Sequence, residues 1–400
     1  MEPTEDLPID KKIFSALFFS LFAAVTGVGI VVPLLPVYAH SLGATGIYIA
    51  LIFGGFSATR TLFLPWFGRL SDQKGRKPFI TFGLFSYFLI SLAFIVFEDI
   101  HSLILLRAIQ GVASAMIMPV AQAYIGEITP KGKEGISMGV FNMSVFSGLS
   151  IGPLLGGVIK DYFSLQAAFG CMGVLAFGAF CLSLFFLPPV SREQTVIREY
   201  RPTPWRRLIQ DRELVSIFFF RMAYTTCIGI IWGFLPVYAD ARFGLSSASI
   251  GFLVVTGVAV SGIMNIPMGV VSDRMDKRIL VVAGGAVILF AISRVGFADG
   301  FWGLFMANAI FGIGGGISMP ALMALAVISG NRTESMGAVM SLVTVAHSLG
   351  MLCGSLIAGI IMDVLKLEYA FYVGAVIMGL GTMVFVLGLC IGPKKPTGER

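Results

Sequence analysis

Gly68-Arg69-Leu70-Ser71-Asp72-Gln73-Lys74-Gly75-Arg76-Lys77 is a short charged hinge between two apolar runs, residues 46–67 and 78–97. Each run is long enough, as a helix, to cross a hydrocarbon core about 30 Å thick. The pattern repeats along the chain, apolar runs of helical length broken by short charged or Gly/Pro-rich turns. Such a chain is expected to be an all-α polytopic membrane protein.

Composition agrees. Of 400 residues, 56% are hydrophobic and only 12% charged, where a soluble domain carries about 25% charge; the mean hydropathy is +0.89. The runs are continuously apolar rather than alternating, which excludes a β-barrel. Breaking the chain at its polar turns predicts helices at 13–38, 46–67, 78–97, 102–125, 136–159 and 166–188. A second set follows at 214–238, 247–271, 279–298, 302–328, 335–362 and 369–392. The N-terminus is acidic and lacks the basic segment of a secretory leader, so the first helix is expected to be retained.

Basic residues set the topology. Of 28 Lys and Arg, 21 fall at the termini and in the even-numbered connections, three (Lys160, Arg242, Lys366) in the odd-numbered ones, and four arginines within spans. This bias places both termini in the cytoplasm. The net charge of +6 therefore reports orientation in a lipid bilayer, and no nucleic-acid partner is expected. The segment 189–213, with six arginines and three prolines, reads as a cytoplasmic linker between an N-terminal bundle, 1–188, and a C-terminal bundle, 214–400.

The two halves are copies. Leu35-Pro36-Val37-Tyr38-Ala39 recurs as Leu235-Pro236-Val237-Tyr238-Ala239. The hinge returns as Gly269 to Arg278 with Ser272-Asp273, Met118-Pro119 as Met319-Pro320, and Asp161 as Asp363. Ordered landmarks at a nearly constant offset argue for duplication, giving two pseudo-symmetric six-helix bundles of the kind that place a substrate site near the bilayer midplane.

The hinge resembles, nearly position for position, the loop signature of the major facilitator superfamily. That resemblance implies a conformational latch of Gly68, Asp72, Gly75, Arg76 and Lys77 with the second copy's Asp273. In it Asp72 caps the eleventh helix and Arg76 pairs with an acid at the end of the fourth, here Glu127, holding the outward-facing state. Arg107-Ala108-Ile109-Gln110-Gly111 resembles the family's fourth-helix element linked to proton handling, so Arg107 and Gln110 are coupling candidates. Gly148-Leu149-Ser150-Ile151-Gly152-Pro153-Leu154-Leu155-Gly156-Gly157 resembles the fifth-helix element of the drug and metabolite exporters. Pro153 kinks the helix, and Gly148, Gly152, Gly156 and Gly157 admit a close neighbour, which together make a pivot.

None of the 22 acidic residues falls near a predicted midplane. Proton handling is then expected to rest on groups nearer the surfaces, Asp161 and Asp363, or on His347, a residue type that can change charge near neutral pH. The embedded charges are basic, and an intramembrane charge is a functional candidate by default. Arg60 and Arg221, with Asn142, Asn265, Tyr38 and Tyr238, are the substrate-cavity candidates; the tyrosines equally suit interfacial anchoring. The five cysteines lie in apolar runs without metal-ligand spacing and read as packing residues.

No nucleotide-binding loop, metal cluster or catalytic constellation is present in the sequence, so an enzyme is not expected and neither a cofactor nor a metal is called for. The expectation is a monomeric, multi-pass transporter of the plasma membrane, the inner membrane in a Gram-negative cell. It would export drug-like or amphipathic small molecules by alternating access in exchange for protons. The alternative is a carrier for an anionic metabolite or lipid-like anion that uses Arg60 and Arg221.

Overall fold

The computed structural model describes residues 11–129, 134–188, 210–332 and 336–390, apart from the side chains of Lys11, Glu127, Ile266, 134–139, 336–338 and 389–390. The described residues form twelve α-helices and no strand. They are α1 (Lys11–Ser41), α2 (Gly46–Lys74), α3 (Lys77–Val96), α4 (Ile100–Ile128), α5 (Glu134–Tyr162) and α6 (Leu165–Phe186). Next come α7 (Arg212–Phe243), α8 (Ser247–Arg274), α9 (Lys277–Val295), α10 (Phe301–Arg332), α11 (Met336–Val364) and α12 (Glu368–Cys390). Each contains a window apolar enough to span a membrane, and hydrocarbon admits only backbone that satisfies its own hydrogen bonds. The chain is an all-α polytopic membrane protein.

Its helix ends correct the expected boundaries. The hinge is not a loop: α2 continues through Gly68 and Asp72 to Lys74, and the chain turns only at Gly75, where φ is +91°. Glycine alone takes that conformation cheaply, so the turn is set by this one residue. Helix-internal prolines form three matched pairs, Pro36 with Pro236, Pro65 with Pro267 and Pro119 with Pro320. Pro33 of α1 has no counterpart in α7, and Pro153 of α5 has none in α11.

The residues cluster into two compact units, Met1–Arg198 with Trp232–Val258, and Glu199–Ile231 with Ala259–Arg400. In the first, α1 packs on α5 and α6, α2 on α4, and α3 on α4 and α6. In the second, α9 packs on α10 and α12, and α11 on α10 and α12. Most of the expected linker, residues 189–209, lies outside the described residues.

Duplication is visible in two close helix crossings. A Cβ on Gly152 of α5 would lie 2.5 Å from the carbonyl oxygen of Thr26 in α1, and one on Gly354 of α11 would lie 2.1 Å from that of Thr226 in α7. Both distances are impossible for a real side chain, so only glycine lets these backbones meet. Without a hydrophobic drive between helices in lipid, such close van der Waals contact is what holds them together. Gly354→Ala is expected to destabilise the fold by about 1–3 kcal/mol, as overpacking does. Gly178→Ala, where the added Cβ meets nothing within 4 Å, should be neutral. Equal thermal unfolding midpoints of the two variants in detergent would reject this account.

Candidate functional site

Polar side chains group in three kinds of place: at the helix ends beside the basic-rich connections, at the opposite helix ends, and within the spans. On the side rich in basic residues, Arg76 forms an ion pair with Asp72, one helical turn earlier, and donates to Ser71 Oγ at 2.7 Å. The second copy repeats the arrangement with different chemistry: Lys277 Nζ donates to the carbonyl of Ser272 at 2.8 Å, and Asp276 caps α9 by accepting from Arg278 N at 2.9 Å. Asp273 is exposed there, and an added Cβ at Gly68 would meet open space. The side chain of Glu127 and those of the first turn of α11, which the latch expectation involves, lie outside the described residues.

Sequence reading missed a second network on this side. Asp211 caps α7, accepting from Glu213 N and Leu214 N. Arg332, at the end of α10, grips Asp211 and Glu213 at 2.6 Å each, with Arg278 3.8 Å from Glu213. Each charge reads on its own as a loop residue, and only the folded chain brings them together.

On the opposite side, the end of α5 holds the start of α8. Asp161 accepts from Ser247 N at 3.0 Å and Ala248 N at 2.7 Å, while Lys160 Nζ donates to Ser247 Oγ at 2.7 Å. The first N–H groups of a helix have no partner within it, and a carboxylate there is favoured by the helix dipole as well. The pivot residues serve this contact. Gly148, Gly152 and Gly156 face α1, whereas Gly157 lies against Ser247, and Gly251 of α8 lies against the carbonyl of Pro153. Asp363 stands at the matching place near the end of α11. Tyr38 is half-buried, and Tyr238 is buried with Arg242 5.7 Å from its ring.

Within the spans the arginines divide by how well they are satisfied. Arg107 is buried; its Nε donates to the carbonyl of Ile52 at 3.2 Å, Nη1 donates to Gln110 Oε1 at 2.7 Å, and the guanidinium lies 4.6 Å from the Phe56 ring centroid. It ties α4 to α2. Arg60 has the phenol of Tyr87 in its field, and its Nε is sealed from solvent with no hydrogen-bond partner among the described residues. Arg221 approaches Met319 Sδ at 2.8 Å and His347 Nδ1 at 3.3 Å, with the Tyr224 ring 5.9 Å away and its own Nε without a partner among the described residues. Tyr87, Met319 and Tyr224 escaped sequence reading because nothing local marks them as neighbours of a charge. Asn142 is exposed and Asn265 half-buried.

Replacing Asp161 by Ala removes a helix cap worth about 1 kcal/mol, which corresponds to roughly fivefold faster opening of the first turn of α8. Hydrogen exchange at Ser247 and Ala248 should accelerate by that factor; unchanged protection would show that the carboxylate does not hold this turn.

The comparisons with known proteins run through the whole chain. The family model described as Major Facilitator Superfamily matches residues 17–242 and 217–400. An uncharacterized MFS-type transporter of Methanocaldococcus jannaschii is 27% identical over 372 residues, covering 92% of this chain and 95% of the relative. The quinolone resistance protein NorA of Staphylococcus aureus is 26% identical over 388 residues, 95% of this chain and 96% of NorA. The multidrug resistance protein MdtG of Salmonella arizonae is 26% identical, covering 82% of this chain and 83% of MdtG. Among solved structures, the nucleoside transporter NupG superposes with a TM-score of 0.78 at 10% identity, covering 95% of this chain and 100% of that one. The human organic anion transporter MFSD10 superposes with a TM-score of 0.67 at 17% identity, covering 95% and 100%. Twelve spans, duplicated glycine crossings and a family model matched across both halves lead to one assignment: the chain belongs to the Major Facilitator Superfamily.

Proposed function

We propose that the protein is a secondary transporter of the plasma membrane that exports amphipathic small molecules by alternating access, in antiport with protons. The observation that carries this reading is the Gly/Pro face of α5, which lies on the backbone of α1 and caps the first turn of α8 through Asp161. A contact made of backbone and a few hydrogen bonds, rather than interlocked large side chains, can be broken and remade at modest cost, as a transport cycle requires. The resistance proteins among its relatives support export of drug-like compounds. The monomer is taken as two halves, 1–188 and 214–400, joined by a cytoplasmic linker, with both termini on the same side as that linker. Asp72 and Arg76 serve as a latch on the basic side.

Protons need a carrier. No acid lies near mid-span, so the proposed carriers are Asp161 and Asp363 near the membrane surface and His347 within it, with Arg107 and Gln110 as the helix tie beside the path.

A second reading, a carrier for amphipathic or metabolite anions, is favoured by one observation. Arg60 and Arg221 each keep a sealed Nε without a partner among the described residues, and an unpaired buried charge is costly until something pairs it.

Purified protein in liposomes that are acid inside separates the two. Proton antiport predicts a rise in internal pH when amphipathic cations or neutral amphiphiles are added outside. A response to anions alone would assign the second reading, and no response to cations or neutral amphiphiles would contradict proton antiport.

A further inference from the structure

We infer that Arg221, positioned by His347 and Met319, is the binding site for the carboxylate of an amphipathic acid. The inference rests on the second reading above and names its ligand chemistry and its site.

Depth comes first. Arg221 lies nine residues inside α7, His347 eleven inside α11 and Met319 thirteen from the end of α10, about 14–20 Å along the helix axes at 1.5 Å per residue. Its Nε is sealed from solvent, and the partners the guanidinium finds within the fold are weak. A thioether sulfur is a poor acceptor, and the imidazole is a neutral acceptor at 3.3 Å. Because arginine only donates, Nδ1 of His347 accepts, and the ring carries its proton on Nε2. The third position, Nε, has no partner among the described residues.

Among the described residues no carboxylate pairs with Arg221. The acids at the start of α7, Asp211 and Glu213, are engaged by Arg332 and Arg278. Contrast with Arg107 shows what a purely structural arginine looks like in the same protein: a carbonyl, an amide oxygen and an aromatic face take up its guanidinium. Arg221 is instead held in place while its strongest binding capacity goes unused. A carboxylate approaching side-on takes Nε and Nη2 together, the bidentate geometry for which a guanidinium is built.

The surroundings select the rest of the ligand. Tyr224 and Phe311 stack with centroids 5.8 Å apart and an interplanar angle of 13°, and Met319 adds an adaptable thioether. An apolar or aromatic body with one carboxylate matches this combination better than a small hydrophilic anion does.

The test uses the full chain in lipid nanodiscs with two fluorescent probes, dansyl-aminoundecanoic acid and its methyl ester, which differ only in the charge. Wild type is expected to bind the acid about tenfold or more tightly than the ester, the scale of a charged hydrogen-bonded pair. Arg221→Gln should erase that preference while leaving ester binding intact, which also reports that the variant is folded, and Arg221→Lys should retain part of it. His347→Leu should weaken acid binding and His347→Asn, whose Oδ1 can accept in place of Nδ1, should restore it; a merely packed residue would be rescued by Leu instead. A wild type that does not distinguish acid from ester overturns the anion reading and the site together. An acid preference that survives Arg221→Gln overturns the site alone and sends the anion reading to Arg60.

Discussion

Backbone lies on backbone where α5 crosses α1 and where α11 crosses α7, and the fold depends on that contact. In lipid there is no water to expel, so helices associate through short-range packing, and Gly152 and Gly354 bring carbonyl oxygens of Thr26 and Thr226 closer than any side chain would allow. The same α5 face continues past Pro153 to Gly157 and Asp161, which receive the first turn of α8. A single stretch of small residues thus fixes one helix pair and caps another. Pro33 of α1 and Pro153 of α5, which have no counterparts in α7 and α11, are places where the duplicated halves have diverged.

Charge is the second constraint. The spans hold arginines and no acids near their middle, and the structure sorts the arginines by what they touch. Arg107 is spent on holding α2 to α4. Arg60 and Arg221 each retain an Nε without a partner among the described residues, and in a medium of low dielectric such a deficit is a strong attraction for a negative group. Asp161, Asp211 and Asp276, by contrast, all cap helix starts, so the acids stay near the membrane surfaces, where their hydration costs least.

Much of this was legible in the sequence. The twelve spans followed from apolar run length, the duplication from Pro36 and Pro236 and the landmarks after them, and the α5 element from its glycine spacing. The end of α2 was not legible, because a charged stretch ordinarily signals a loop; the helix persists to Lys74 and stops only where Gly75 turns the chain. Nor were the partners of the buried charges. Arg221 with Met319 and His347, or Arg332 with Asp211 and Glu213, are joined by tertiary packing across separations of about a hundred residues, and no local pattern encodes such pairs. The role of Asp161 was half legible: its repeat with Asp363 singled it out, while its use as a cap for another helix required the fold.

As a transporter, this membrane protein is proposed to turn over as a carrier rather than act as a pore or a receptor. Counterflow tests it most directly: proteoliposomes loaded with an unlabelled amphipathic compound are diluted into a trace of the same compound carrying a label. A carrier predicts that the label rises transiently inside above its equilibrium level and then declines. A label that only approaches equilibrium, at the same rate with and without internal compound, would contradict the account.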